Sequence, residues 1–158
     1  MTQFDSLSYT AGIIDGEGCI TIAKQHQKNC KNPHYRLMIR VGNTDMRMIA
    51  FLYEEFGGHI MCKHTPVKSG ESWEWILYDK KAEAFLRIIT NHIVCKRDEV
   101  SLVLAFRDTY NLGLKNRPTK EVQEIRELMY VQIKKMHKER GERSWKKVIP
   151  TESGTTQR

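Results

Sequence analysis

Residues 11–18 read Ala-Gly-Ile-Ile-Asp-Gly-Glu-Gly. Gly12 and Gly16 stand four apart, and on a helix that spacing puts both on one face, where a second backbone can come close. Glu17 follows where Gly18 would end the helix. A carboxylate is badly placed there, because a helix C-terminus already carries partial negative charge. Packing glycines beside an ill-favoured acid suggest two helices meeting over a cation. Gly12 and Gly16, with Ala11 and Asp15 beside them, are then the expected helix–helix contact.

The remaining elements follow from periodicity. A first helix is predicted over about Ser6–Gly16, capped by Asp5 or Ser6. Cys19–Gln25 reads as a strand with Ile20 and Ile22 inward. Tyr35–Val41 alternates, with Leu37, Ile39 and Val41 on one face and Arg36, Met38 and Arg40 on the other. A helix over Asp45–Phe56 stops at Gly57-Gly58. Strands follow at His59–His64 and Ser72–Tyr78, joined by a turn through residues 65–70. Trp73, Trp75 and Leu77 share a face and read as core, not as base-stacking platforms. Two helices follow, about Lys80–Asn91 with Ala84, Phe85, Ile88 and Ile89, and Arg97–Tyr110 with Val100, Val103, Leu104 and Phe106. A last helix starts near Thr119 with Val122, Ile125, Leu128, Met129, Ile133 and Met136 as its stripe.

This order predicts a single α+β domain over residues 1–140, with four antiparallel strands and all helices on one face. Residues 141–158, which include Trp145, read as a flexible basic tail. The other sheet face is expected to be open. It carries Thr21, Ala23, Gln25, Arg36, Met38, Arg40, His59, Met61, Lys63, Glu74 and Ile76, with His34 at its margin. Strands bearing that mix of donors, acceptors and apolar tips can enter a DNA major groove and read base edges.

Charge is concentrated in two zones. Lysine and arginine total 26 against 19 acids, a net charge of +7. Residues 18–44 hold five basic residues and no acid, and residues 134–158 carry a surplus of five; the rest is slightly acidic. Such zones fit a polyanionic partner, nucleic acid first, or a solvated surface that only aids solubility. The four cysteines, Cys19, Cys30, Cys62 and Cys95, form no C-x-x-C pair. They read as reduced thiols, with Cys95 in the core. No apolar run reaches the ~20 residues of a membrane helix, and Met1–Asp5 is neither a secretory nor a transit signal. An intracellular site is expected, in a prokaryotic cytoplasm or an organelle matrix. There is no Walker motif, no H-N-H arrangement and no nucleophilic Ser or Cys triad.

Thr10–Gly18 resembles the LAGLIDADG motif of homing endonucleases. It departs from that pattern at Thr10 for the leading Leu, Gly16 for Ala and Glu17 for the second Asp. The resemblance, with the helix-strand-strand-helix order, spans roughly residues 5–110. It implies an αββαββα domain that breaks double-stranded DNA in a metal-dependent reaction, leaving short 3′ overhangs in a long, roughly palindromic target. With one motif per chain it implies a homodimer. It assigns Glu17 and the Gly16 carbonyl to magnesium, with manganese or calcium as substitutes for binding. It assigns Asn43 to a water-holding position, and Arg47 and Lys96 to basic active-site positions. Asn43 also reads as a turn residue, and Arg47 and Lys96 as surface phosphate clamps. Two rivals share the scaffold: an intron RNA maturase, for which RNA would be the partner, and a DNA-binding regulator that does not cut.

Overall fold

The computed structural model of the chain describes residues 5–26, 28, 32–64, 71–112 and 118–142. The elements run α1 (Ser6–Glu17), β1 (Gly18–Gln25), β2 (His34–Asn43), α2 (Met46–Phe56), β3 (His59–His64), β4 (Glu71–Tyr78), α3 (Asp79–Ile89), α4 (Arg97–Asp108), a single 3-10 turn (Thr109–Asn111) and α5 (Lys120–Glu142). The four strands form one antiparallel sheet in the order β1-β2-β4-β3. This is the α+β architecture expected from the sequence. The turn through 65–70, and the tail from residue 143 with Trp145, lie outside the described residues; residues 141 and 142 finish α5.

Strand alternation builds the core. Ile20 and Ile22, then Tyr35, Leu37, Ile39 and Val41, then Trp75 and Leu77 are all buried on one face. Helix residues cover them: Ile13 and Ile14 of α1, Ile49 and Leu52 of α2, Phe85 and Leu86 of α3, Val103 and Phe106 of α4, and Ile133 of α5. Trp75 is fully buried, and its indole N–H donates to the Gly57 carbonyl at 2.7 Å, so β4 satisfies the end of α2. Gly58 follows with φ of 106°, and a Cβ there would meet the Ile76 carbonyl at 2.8 Å. Only glycine fits that crossing.

Several faces differ from expectation. On α3 the buried side is Ala82, Phe85, Leu86 and Ile89, while Ala84 and Ile88 point outward. On α5 Ile125 and Leu128 are exposed, whereas Val122 and Ile133 are buried and Arg126 lies inside. Arg126 donates to the Thr109 hydroxyl and carbonyl, and its guanidinium lies 4.0 Å from the Tyr110 ring. That polar anchorage, not the apolar stripe alone, sets the rotation of α5. Cys95 is exposed, not in the core: its backbone N–H is tied to Asp15, which turns the side chain out. Among the described residues Cys19, Cys62 and Cys95 are free thiols; Cys30 lies outside them.

Thr10, at the position where the motif's usual leucine would stand, is fully buried, and its hydroxyl has no hydrogen-bond partner. An unsatisfied buried hydroxyl costs stability that an apolar isostere avoids. Thr10→Val is expected to stabilise the fold by about 1 kcal/mol, read as a higher midpoint in thermal or urea unfolding.

Candidate active site

The end of α1 is built by two side chains that stand 81 residues apart in sequence, Asp15 and Lys96. The Asp15 carboxylate accepts the backbone N–H groups of Val94, Cys95 and Lys96, at 2.8, 3.1 and 3.1 Å. Lys96 reaches back into the junction. Its ammonium donates to the carbonyls of Ile14, Asp15 and Gly18 at 2.6, 2.8 and 2.6 Å, and the residue is 6% exposed. A helix leaves its last carbonyls without intrahelical donors, and a cation at that end suits the dipole. Lys96 supplies both, using all three of its protons. Burial, and then the neighbouring Arg140, hold its pKa below the usual lysine value; Asp15 and Glu99 pull the other way.

Gly18 makes the sharp exit into β1. A Cβ there would fall 2.7 Å from the Ile14 carbonyl oxygen. Glu17 therefore ends α1 beside the Gly18–Val41 pair that opens β1 against β2. Its side chain is exposed and has no hydrogen bond or ion pair among the described residues. Asn43 lies two residues beyond Val41, at the same end of the sheet. Its side-chain oxygen accepts the Asp45 N–H at 2.8 Å, which shapes the turn into α2. Arg47 is 91% exposed and clasps Asp45 at 2.6 Å, which holds that carboxyl's pKa at about 2.

Glu17, Asn43, Arg47 and Lys96 thus all lie toward one end of the sheet, but they face differently. Lys96 is turned inward, and Glu17 is open. Lys96 does not take the Gly16 carbonyl, which leaves Gly16 and Glu17 as hard oxygen donors of the kind magnesium prefers. Among the described residues no three His, Cys, Asp or Glu side chains cluster as a metal cage. One chain fits only part of a coordination sphere.

The glycines of α1 are open. Gly12 and Gly16 are exposed, and a Cβ at either would meet nothing within 4 Å. Tyr9, 45% exposed, stands one turn earlier on this side. Two of the residues expected at the helix–helix contact are occupied within the chain. Ala11 is fully buried, because it faces the sheet. The Asp15 carboxylate is taken up by the 94–96 backbone.

The outer sheet face is partly covered. Gln25, His34, His59, Met61 and Lys63 are exposed, and Ala23, Arg36, Met38 and Arg40 are half-buried. Thr21, Glu74 and Ile76, expected to be open, are buried. Ile76 lies between Arg40 and His59 in register, and Thr21 opposite Met38, so longer neighbours cover both. Glu74 is held by Lys63 at 3.0 Å and Arg40 at 3.7 Å.

No protein-family model and no curated protein matches the chain. Solved structures do. The homing endonuclease I-CvuI, in complex with the I-CreI target in the presence of magnesium, superposes with a TM-score of 0.68 at 16% identity, over 82% of this chain and 80% of that one. The archaeal intron-encoded homing endonuclease I-Vdi141I, complexed with DNA, gives 0.67 at 12% identity, over 82% of each chain. The I-LtrWI LAGLIDADG homing endonuclease bound to target DNA gives 0.66 at 17% identity, over 82% of this chain and 44% of that one. The fold is that of the LAGLIDADG homing endonucleases.

Within α1, sequence reasoning missed the role of Asp15 as the anchor for residues 94–96. It also missed the ion pair between buried Glu99 of α4, 1% exposed, and half-buried Arg140 of α5, which stands beside the same junction. The only hint of Asp15's role is an acid in the last turn of a helix, where the dipole disfavours it and a partner is needed. Lys96→Met keeps the stem and deletes the ammonium. It is expected to cost about 2–4 kcal/mol, because three carbonyls lose their donor. A fall of roughly 5–15 °C in the unfolding midpoint checks it.

Proposed function

We propose that the chain is a homing endonuclease that works as a homodimer and cuts both strands of a long, roughly palindromic DNA site, leaving short 3′ overhangs. The observation that carries this reading is Glu17, an exposed carboxylate without a partner among the described residues, held at a rigid helix end beside an open glycine stripe. A second copy packed through Gly12 and Gly16 would bring its own Glu17 alongside, one acid for each strand. DNA-bound neighbours solved with magnesium or calcium support the reading. So do neighbours of which this fold covers under half, since they leave length for a second such unit.

Glu17 and the Gly16 carbonyl are the residues that would hold magnesium, with manganese or calcium able to replace it for binding. When bound, the ion supplies an activated water and relieves charge on the leaving oxygen. Asn43 is suited to orient water through its amide. Arg47 is suited to meet a phosphate by exchanging Asp45 for it. Lys96 acts as a positioning residue, because its protons are spent on the α1 carbonyls that hold Glu17 in place. The outer face, with Arg40, Met61 and Lys63, would read bases in the major groove.

An RNA maturase or a DNA-binding regulator that does not cut needs no metal-binding carboxylate, so the presence of Glu17 favours cleavage. Selection of cut molecules from a randomised DNA library in magnesium tests activity, target and symmetry together. The wild type is expected to yield a near-palindromic site. Glu17→Gln is expected to bind that site equally well and cut it about a hundredfold more slowly or worse. Undiminished cutting by Glu17→Gln overturns the assignment. Tight binding without nicking under any divalent metal overturns the enzyme, and one chain per bound site in sedimentation overturns the homodimer.

A further inference from the structure

β4 ends at Tyr78, opposite Met38, while β2 continues four residues further to His34. The unequal lengths leave a notch in the sheet beside β2, and the chain turns at it. Asp79 adopts φ of 46°, a left-handed conformation that aspartate tolerates better than most residues, and starts α3. Its carboxylate stands in for the missing strand, accepting the Leu37 N–H at 3.2 Å. A cavity of about 470 Å³ opens here.

The cavity is cationic with aromatic walls. The Arg36 guanidinium lies 3.9 Å from the centre of the Tyr78 ring, and that of Arg107 lies 4.3 Å from the centre of Tyr110. Asp79 pairs with both arginines, at 3.3 and 3.7 Å, and Glu83 takes a second hold on Arg107 at 3.1 Å. Stacking and pairing therefore fix both guanidinium planes before any ligand arrives. The Nε of Arg36 is buried and has no hydrogen bond. Lys80 and Lys81, exposed on the first turn of α3, also line the cavity, and neither has an ion pair among the described residues. Asp79 and Glu83 are committed to the arginines, which leaves the lysine charges uncompensated.

We propose that this notch clamps a phosphodiester group of the DNA backbone, outboard of the bases the sheet would read. The proposal rests on the nuclease function above. Two features favour a backbone phosphate. Arg36 and His34 belong both to the cavity and to the outer sheet face, so a strand lying over that face passes its mouth. The Tyr78 and Tyr110 rings, which line the cavity, hold the Arg36 and Arg107 guanidiniums by stacking, so positive charge is already oriented there for an anion. Lys80 and Lys81 supply point charges, and such phosphate contacts position a duplex without reading its sequence.

The test is a fluorescence-anisotropy titration of the full chain against a mixed-sequence DNA duplex across a salt series. Lys80→Gln/Lys81→Gln is the variant, Lys80→Arg/Lys81→Arg the rescue, and the unfolding midpoint the control. The glutamine variant is expected to bind roughly five- to tenfold more weakly per lost contact near 0.1 M salt, and to flatten the log–log salt slope by about 1 to 2. The arginine variant is expected to restore both, with the unfolding midpoint unmoved throughout. An unaltered slope in the glutamine variant overturns the clamp alone. A loss seen on an RNA hairpin but not on the duplex overturns DNA as its occupant. A wild-type chain that does not bind the duplex overturns the nuclease function, and the clamp with it.

Discussion

The clasp between residues 14–18 and 94–96 is the interaction on which the rest of the architecture depends. Helix α1 ends with Gly16 and Glu17 exposed, but other carbonyls at this junction turn inward, where water cannot take them over. One ammonium satisfies three of them, and one carboxylate in the same turn gathers three N–H groups from the opposing loop. The two halves are complementary in charge and in hydrogen-bond count. Each is costly to bury alone and satisfied in company. They stitch the start of the sheet to the start of α4 and fix the direction in which Glu17 leaves the helix.

Legibility from sequence followed the physics of each element. The period of two in Tyr35–Val41 was enough to phase β2, because a strand has only two faces and one was already marked by arginines. Asp5 announced the start of α1, and its carboxylate accepts the N–H groups of Leu7 and Ser8. Helix rotation was harder. On α3 the pairs Ala84–Ile88 and Ala82–Leu86 both satisfy helical spacing, and only the packed sheet chooses between them.

Charged residues were the least legible. Glu99, Arg107 and Arg126 read as surface in a sequence, yet all three are buried, each beside a partner distant along the chain. The active-site candidates came from the resemblance, Gly16 and Glu17 inside the motif and Asn43, Arg47 and Lys96 beyond it, and a resemblance does not say which way a side chain turns. Lys96 lies at the expected position and faces the protein, a fact decided by the length of its stem and by three carbonyls within reach. The outer face carried a similar lesson. Glu74 is buried in the middle of a basic surface because Arg40 and Lys63 converge on it.

The empty space above Gly12 and Gly16 has a consequence for anyone who evolves this chain in the laboratory. Nothing inside the folded chain crowds either position, and alanine suits a helix interior better than glycine by roughly 1 kcal/mol. Selection for foldedness or expression alone would favour replacing both. A library screened that way would drift toward a sturdier helix, and whatever benefit the bare backbone confers would be lost before any assay looked for it.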